Sequence, residues 1–349
     1  MRNVERILIV QTAFLGDVVL TLPLVQVVKD FFVFSKIDLV VVPRSADLVH
    51  THPSINEVIV YDKYGTDKGV AGLFKLVRQL RMKRYDLALI PHRSLRSALL
   101  VFLAGIPLRI GFTKSAGRFL FSKTVHYQPD LHEAERNLSL LEALGIPYTM
   151  HVLPKLYPSP DDSKVVDTLL DDLNVGNRQR LIAIAPGTIW NTKRWLKERF
   201  AALAQMLVEE KFEVLLVGGK EDVSLCSEIQ NLSQSATVYS SAGMLTTIQS
   251  AELIRRCKAL ISNDSAPMHF AVAVGTPVVS IFGATVPEFG FAPYGKHDVV
   301  LETKGLPCRP CSIHGGDECP IKTFECMKAI TYERVFGKVM EVIEKTESA

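Results

Sequence analysis

Residues 6–30 read RILIVQTAFLGDVVLTLPLVQVVKD, and this stretch predicts the fold class. Its first part, Arg6–Thr12, is a short apolar run rich in β-branched residues, which is typical of a buried strand. Its last part, Val18–Asp30, has the length and the amphipathic pattern of a helix. A buried strand followed directly by a helix is the first half of a βαβ unit, in which helices cover a parallel sheet.

The same alternation continues along the chain and then restarts. First-half strands are predicted at Arg6–Thr12, Asp38–Pro43, Glu57–Tyr61, Asp86–Pro91 and Arg109–Phe112. Second-half strands are predicted at Leu181–Ala185, Glu213–Val217, Thr237–Ser240, Ala259–Ser262 and Val278–Phe282. Amphipathic stretches lie between these strands in both halves. We therefore predict an α/β protein with two Rossmann-like domains, each built on a parallel sheet.

The length of the chain also favours two domains. Its 349 residues exceed the roughly 250–300 at which a single core stops growing. The segment His151–Arg180 contains several prolines and is predicted to be a linker with a short helix. The predicted domains are residues 1–155 and residues 178–330. A capped amphipathic helix is predicted at about 331–345, and it is expected to be able to pack back on the first domain.

The composition is that of an ordinary globular protein, with 48% hydrophobic and 22% charged residues. Forty basic residues against 37 acidic ones give a net charge of +3, which is too balanced for a general nucleic-acid binder. The longest apolar stretch, Ser97–Leu108, falls short of the roughly 18 residues of a membrane span. No signal peptide is recognisable, so we expect a cytoplasmic protein without a transmembrane segment.

The glycine pattern argues against two common functions of Rossmann-like domains, nicotinamide binding and P-loop nucleotide binding. A nicotinamide-binding domain should carry G-x-G-x-x-G between its first strand and helix. The corresponding loop, Thr12–Asp17, contains one glycine, and neither that motif nor a Walker A sequence occurs anywhere in the chain. Hydride transfer and P-loop chemistry are therefore disfavoured.

Three polar motifs follow predicted strands, at the edge where open α/β sheets bind ligands. In the first, Gly16 permits a tight turn and Asp17 begins a helix, either as a catalytic carboxylate or as a partner of the helix dipole. The second is PGTIWNTKRW at residues 186–195. There Lys193 would grip a diphosphate, unless Lys193 and Arg194 only form a solvated face and Trp195 is a core anchor.

The third motif is NDSAPMH at residues 263–269. Asp264 could accept hydrogen bonds from sugar hydroxyls, while Ser265 and the following amides hold phosphate at a helix N-terminus. His269 lies one turn further along the same helix face. The alternatives are that Asp264 is a plain N-cap and that His269 is structural.

Together the three motifs resemble those of glycosyltransferase family 9, the bacterial lipopolysaccharide heptosyltransferases. The matching residues are GDVVLTLP at 16–23 and the two motifs just described. The Lys-Arg-Trp form of the second is most similar to members that add the second heptose. The resemblance implies a GT-B fold, in which two Rossmann-like domains face each other across a cleft. It also implies inverting transfer from ADP-heptose in the second half to an anionic inner-core acceptor in the first, without a metal or cofactor.

The resemblance also assigns roles to residues. Asp17 would be the general base and Lys193 the catalytic diphosphate clamp. The expected donor-binding residues are Thr188, Lys193, Glu221, Leu245, Asp264, Ser265, Ala266 and His269. Ala266 departs from the family, which usually has glycine there, and a methyl group can hinder approach to phosphate. A related transferase with a different nucleotide sugar therefore stays open.

A basic stretch in the first half suits an anionic acceptor. It contains Arg93, Arg96, Arg109, Lys114, Arg118 and Lys123. Of these we expect Arg93, Arg96 and Arg118 to bind the acceptor, and peripheral contact with the inner membrane would follow. The alternative is ordinary surface charge.

Four cysteines near the end of the chain leave the metal content open. In the spacing Cys308-x2-Cys311-x7-Cys319-x6-Cys326, the first pair matches a zinc knuckle and the second does not. A structural zinc and unligated thiols are therefore alternatives. A zinc-dependent regulatory protein and a non-catalytic nucleotide-sugar-binding protein are alternative functions, although a scaffold would need neither Asp17 nor Lys193.

Overall fold

The computed structural model describes residues 4–348 and divides into two units, with the division after Tyr157. Each unit has its own sheet and its own apolar core. Within residues 4–348, no helix combines the length and apolarity needed to cross a bilayer.

The first unit alternates strands with helices from its first element. Its strands are β1 Arg6–Val10, β2 Lys36–Val41, β3 Glu57–Val60, β4 Leu87–Ile90, β5 Leu108–Phe112 and β6 Lys123–Val125. Its helices are α1 Leu15–Val19, α2 Leu22–Phe31, α3 Pro43–Val49, α4 Gly69–Lys83, α5 Leu95–Leu103 and α6 Glu133–Ser139.

The second unit opens with a helix and then repeats the alternation. Its strands are β7 Leu181–Ala185, β8 Glu213–Leu216, β9 Val238–Ser240, β10 Leu260–Asn263, β11 Val278–Phe282 and β12 Val299–Glu302. Its helices are α7 Pro160–Asp172, α8 Lys197–Glu209, α9 Val223–Ser233, α10 Thr247–Arg255, α11 Ala266–Val274, α12 Glu325–Lys328 and α13 Tyr332–Glu347.

The two sheets have the same strand order. In the first the order is β3-β2-β1-β4-β5-β6, and in the second it is β9-β8-β7-β10-β11-β12. Every pairing in these two sheets is parallel. The predicted α/β class and the two Rossmann-like domains are therefore confirmed. The order reverses between β1 and β4 and between β7 and β10, and such reversal points are where open α/β sheets leave a crevice for ligands.

The final helix, α13, packs on the second unit. Val335, Val339 and Val342 lie one turn apart on its face and are buried in the core beneath β11 and β12. Trp195 and Phe200 belong to the same core, with their ring centroids 4.8 Å apart in an edge-to-face arrangement. This placement differs from the expectation that the helix could return to the first domain. The apolar stripe of α13 is already covered by the sheet that precedes it in the chain.

Candidate functional site

Asp17 lies beyond β1, at the reversal point of the first sheet. It is the third residue of the five-residue helix α1, and it is half-buried. Its Oδ2 accepts the backbone N–H of Phe14 at 3.1 Å, and Thr21 Oγ1 donates to its carbonyl at 2.8 Å. The carboxylate therefore caps the N-terminus of α1, as the helix-terminus alternative predicts. It does so at the reversal point of the first sheet, where a ligand of the first unit would bind.

A histidine that the sequence analysis missed lies on the other side of this reversal point. His92 follows β4, and its Nδ1 lies 2.9 Å from Thr12 Oγ1 and 3.1 Å from Ser97 Oγ. Lys63 Nζ donates to the carbonyl of Thr12 at 2.6 Å. Burial lowers the pKa of His92 to about 4, and the charges of Lys63 and Arg93 add to this effect. His92 is therefore neutral at pH 7 and lies beside Thr12 as a hydrogen-bonding group.

The basic residues predicted for the acceptor surround the N-terminal end of α5. Arg93 is exposed and its guanidinium carbon lies 4.4 Å from the ring centroid of Tyr127. Arg96 donates to the carbonyls of Lys63 at 3.4 Å and Gly69 at 2.9 Å. Arg118 is exposed in a single turn of 3₁₀ helix. Arg93 and Arg118 are thus accessible to an anion, whereas Arg96 already holds the loop before α4.

A buried carboxylic acid, also unpredicted, lies close to Asp17. Glu133 begins α6, and its Oε2 lies 3.3 Å from Nε of the buried Arg136. Burial raises the pKa of Glu133 to about 7; the charge of Arg136 opposes this rise and that of Asp17 adds to it. Asn137, one turn further along, donates to the carbonyl of Leu20 at 3.0 Å and so fixes α6 against the segment that carries Asp17.

In the second unit the structure brings the second and third motifs together. Lys193 Nζ lies 2.6 Å from Asp264 Oδ2, and both side chains are largely buried. Thr285 Oγ1 donates to the same carboxylate oxygen at 2.6 Å. Lys193 follows β7 and Asp264 follows β10, so the pair lies at the reversal point of the second sheet. The sequence motifs placed both residues at this edge, but Thr285 was not anticipated.

A buried asparagine joins the loops that carry this pair. Asn263 Nδ2 donates to the carbonyl of Pro186 at 2.8 Å, and its Oδ1 accepts the backbone N–H of Trp195 at 3.0 Å. Trp195 is a core anchor, as its alternative interpretation predicted, with Nε1 donating to the carbonyl of Ile330 at 3.0 Å. Arg194 Nη2 donates to the carbonyl of Thr188 at 2.9 Å. The loop around Lys193 is therefore anchored at both ends.

The N-terminus of α11 lies beside the same pair. Ser265 is the N-cap, its Oγ lies 3.3 Å from Ser262 Oγ, and Ala266 opens the nine-residue helix. Ser265 and Ala266 are half-buried, whereas His269 is 95% buried one turn further along. An N-terminus with amides directed outward binds anions. Ser265 and Ala266 are placed for that role, and His269 lies in the interior behind them.

The remaining donor candidates lie on two adjacent loops. Glu221 is exposed in the turn after β8, and Leu245 is half-buried in the loop before α10. Gly243 N–H donates to the carbonyl of Gly218 at 3.0 Å and so joins these loops. Gly243 has φ +74°, in the left-handed region that favours glycine. Glu221 and Leu245 are therefore brought to one edge, next to the strand that leads to Lys193.

The cysteine segment packs on the loop of Lys193. Gly316 N–H donates to Thr192 Oγ1 at 2.8 Å, and its carbonyl accepts the N–H of Thr192 at 3.0 Å. A Cβ on Gly315 would lie 2.9 Å from Cγ and Cδ of Lys193. The adjacent pair Gly315-Gly316 is the one sequence feature that marks this contact, which was not predicted.

The four thiols of this segment are not grouped closely together in the described part of the chain. Cys308, Cys311, Cys319 and Cys326 are all free, and only Cys326 is buried. Across residues 4–348 there is no group of three or more His, Cys, Asp or Glu residues placed to hold a metal ion. Zinc binding at these cysteines and unligated thiols stay alternative predictions.

The chain is similar in sequence to known glycosyltransferases. A family model described as glycosyltransferase family 9 (heptosyltransferase) matches residues 73–319. Lipopolysaccharide heptosyltransferase 2 of Salmonella typhimurium is 29% identical over 293 residues, which cover 81% of this chain and 84% of the relative.

Two solved structures match almost the full length of the chain. A glycosyl transferase of family 9 from Veillonella parvula matches with a TM-score of 0.88 at 24% identity, covering 98% of both chains. The ADP-heptose LPS heptosyltransferase II of E. coli matches with a TM-score of 0.80 at 24% identity, covering 98% of this chain and 100% of that one. The expected GT-B fold is therefore confirmed.

Proposed function

Since this chain belongs to glycosyltransferase family 9 and is an enzyme that transfers a sugar, we propose that it adds the second heptose to the inner core of lipopolysaccharide. The donor in this proposal is ADP-heptose, and the configuration at the anomeric carbon is inverted. The observation that carries the proposal is the contact between Lys193 and Asp264 beside the N-terminus of α11.

In this proposal the second unit binds the donor. The Lys193 ammonium has three N–H groups, so it can donate to Asp264 and still donate to diphosphate oxygens. The amides at Ser265 and Ala266 would bind the same diphosphate, because the N-terminus of α11 favours negative charge. Asp264, held by Thr285, would accept hydrogen bonds from the heptose hydroxyls. Glu221 and Leu245 would contact the nucleoside, with Thr188 and His269 shaping the surrounding loops.

Asp17 would act as the general base. Its Oδ2 accepts the N–H of Phe14 and, as a carboxylate oxygen, can also accept a proton. As Asp17 takes the proton of the acceptor hydroxyl, the hydroxyl oxygen forms its bond to the anomeric carbon. The bond from that carbon to the phosphate oxygen breaks, and its electron pair leaves with ADP. Lys193 and the N-terminus of α11 would stabilise the developing charge, so this chemistry needs neither a metal nor a cofactor.

The acceptor would bind the first unit. Its inner-core sugars are anionic, and the exposed Arg93 and Arg118 lie where two loops of that unit meet. Arg96 would contribute by holding the neighbouring loop through Gly69. An enzyme that acts on such a lipid-linked acceptor would work in the cytoplasm, with peripheral contact at the inner membrane.

A panel of nucleotides and nucleotide sugars tests the donor. We expect ADP-heptose and ADP to raise the melting temperature more than the UDP and GDP equivalents do, because a ligand that binds only the native state stabilises it. Lys193→Ala should weaken ADP binding by at least about tenfold, given the strength of hydrogen bonds to charged groups. Lys197→Ala, which removes a half-buried lysine four residues away that is paired with Glu228, is the matched control.

Equal stabilisation by UDP-sugars would favour the second candidate, a related transferase with another donor. This second candidate is supported by Ala266, the first residue of α11, because its methyl group can hinder the approach of a phosphate to the helix N-terminus. Unchanged ADP affinity in Lys193→Ala would remove Lys193 from the donor site.

A further inference from the structure

The charge of the first unit is concentrated in one stretch of the sequence. Residues 68–129 contain twelve Lys and Arg residues and a single acid, Asp86. This stretch alone therefore carries a net charge of +11, although the whole chain carries only +3. Such a concentration creates a positive field over the elements that the stretch forms, α4 and α5 among them.

Helix α4 combines this charge with exposed apolar side chains. It contains no acidic residue, and its inward face, formed by Leu73, Leu76, Val77 and Leu80, is buried in the core of the first unit. On the outward face Val70 is 68% exposed, Phe74 is 56% exposed and Met82 is 71% exposed. Because the inward stripe already completes the core, the folding of the unit does not account for the outward apolar residues.

Cations lie between these apolar residues. Lys75 and Arg78 are both exposed on the same outward face. Lys75 also lies 2.8 Å from Asp67, yet its side chain remains 74% exposed. We call Val70, Phe74, Lys75, Arg78 and Met82 the α4 surface. An exposed helical face that mixes apolar side chains with cations and lacks acids is typical of a helix that lies in a membrane interface.

We propose that the α4 surface docks on the headgroups of an anionic phospholipid bilayer. The helix would lie parallel to the membrane, with Val70, Phe74 and Met82 at the boundary between headgroups and acyl chains. Lys75 and Arg78 would lie among the lipid phosphates, where basic residues are attracted to an anionic surface. A nucleic acid would pair with the cations but would leave the three apolar side chains exposed to water, and so it fits this surface less well.

The docking does not depend on the proposed chemistry, because it needs no donor and no catalytic residue. It complements the proposed function by holding the enzyme at the surface that carries a lipid-linked acceptor. Vesicle binding without any substrate is therefore the appropriate test, and its failure would leave the donor assignment untouched.

Cosedimentation with two kinds of vesicle provides this test. We expect the protein to bind vesicles of phosphatidylcholine mixed with phosphatidylglycerol, to bind pure phosphatidylcholine much more weakly, and to be released as salt increases. Both Phe74→Ser and Arg78→Glu should lower the partition coefficient on the anionic vesicles, the charge reversal by roughly tenfold or more. Melting temperatures of both variants should stay near that of the parent, since both side chains are exposed.

Two matched controls separate the α4 surface from general effects. Phe34→Ser removes an apolar side chain that is 99% exposed elsewhere in the same unit, and Lys296→Glu makes the same charge change in the second unit. Both should bind anionic vesicles like the parent. Equal loss in the controls and the α4 variants would overturn the proposal. Equal binding of the parent protein to both vesicle types would also overturn it. The same holds for an Arg78→Glu variant that loses binding to DNA while it keeps binding to anionic vesicles.

Discussion

At the residue scale, Asp17 has a structural contact and a proposed chemical role that one substitution can separate. Asparagine keeps a side-chain oxygen that can accept the N–H of Phe14, but it cannot take up a proton. We expect Asp17→Asn to keep the melting temperature and the ADP affinity of the parent. Its kcat should fall by about a hundred- to ten-thousandfold, the usual effect of losing a general base.

Asp30→Asn, at an exposed position in the same part of the chain, controls for the removal of one negative charge. Its kcat should match the parent. Near-normal turnover in Asp17→Asn would show that this carboxylate is not the base. If the Asp17→Asn variant unfolds, the role of Asp17 is to stabilise the helix terminus and not to act as the base.

At the scale of elements, the cysteine segment supports the loop of Lys193 through Gly315. That residue has φ +89°, and an added Cβ would lie 2.9 Å from the Lys193 side chain. We expect Gly315→Ala to displace Lys193 and to weaken ADP binding by about tenfold, because a charge-assisted hydrogen bond depends on geometry. Isothermal titration with ADP measures this change.

Gly305→Ala is the matched control for backbone strain. Gly305 also has a left-handed φ, of +78°, but an added Cβ there meets nothing within 4 Å. Both variants should therefore lose stability from the φ angle, and only Gly315→Ala should lose ADP affinity. Equal ADP affinity in the two variants would contradict a support role for Gly315.

The elements also show how far local sequence signals determine structure. Helix α11 has clear local signals at both ends, because Ser265 is its N-cap, Pro267 lies in its first turn and Gly275 is its C-cap. The predicted helix at Val18–Asp30 is instead two helices, α1 and α2, separated at Leu20–Thr21. Pro23 explains the second start, since proline is favoured in a first turn and lacks an N–H for a continuous helix.

Strands β6 and β12, edge strands of three and four residues, were not predicted, whereas the equally short edge strands β3 and β9 were. An edge strand has one neighbour and needs no continuous apolar run, so its residues carry a weak periodic signal. The central strands of both sheets were found, because burial on two faces requires a continuous apolar run.

At the scale of the whole molecule, the sequence predicted at which edge of each sheet the polar motifs lie. It did not predict which side chains contact each other at that edge. Motifs that follow parallel strands must meet at one edge, which placed Lys193 and Asp264 together although 71 positions separate them in the sequence. Thr285, His92 and Glu133 reach their sites from segments without a recognisable motif. Their roles depend on burial and on neighbours that only the folded chain brings near.

The two units differ in what we propose that they bind, and separating them tests that difference. The second unit has its own complete sheet and a core that includes α13, so a fragment of residues 158–349 is expected to fold alone. If it holds the donor site, ADP at a hundred times the dissociation constant should stabilise it by about 2.7 kcal/mol. For a domain of this size that corresponds to a rise of roughly 5–10 °C in melting temperature.

Differential scanning calorimetry of three fragments makes this test specific. Residues 158–349 should respond to ADP, the same fragment with Lys193→Ala should respond much less, and residues 1–157 should not respond at all. The comparison depends on the contact between Lys193 and Asp264, which lies wholly within the second unit and needs nothing from the first. If the 158–349 fragment is folded but its melting temperature does not rise with ADP, the donor assignment is wrong. A response in residues 1–157 would mean that the roles of the two units are reversed.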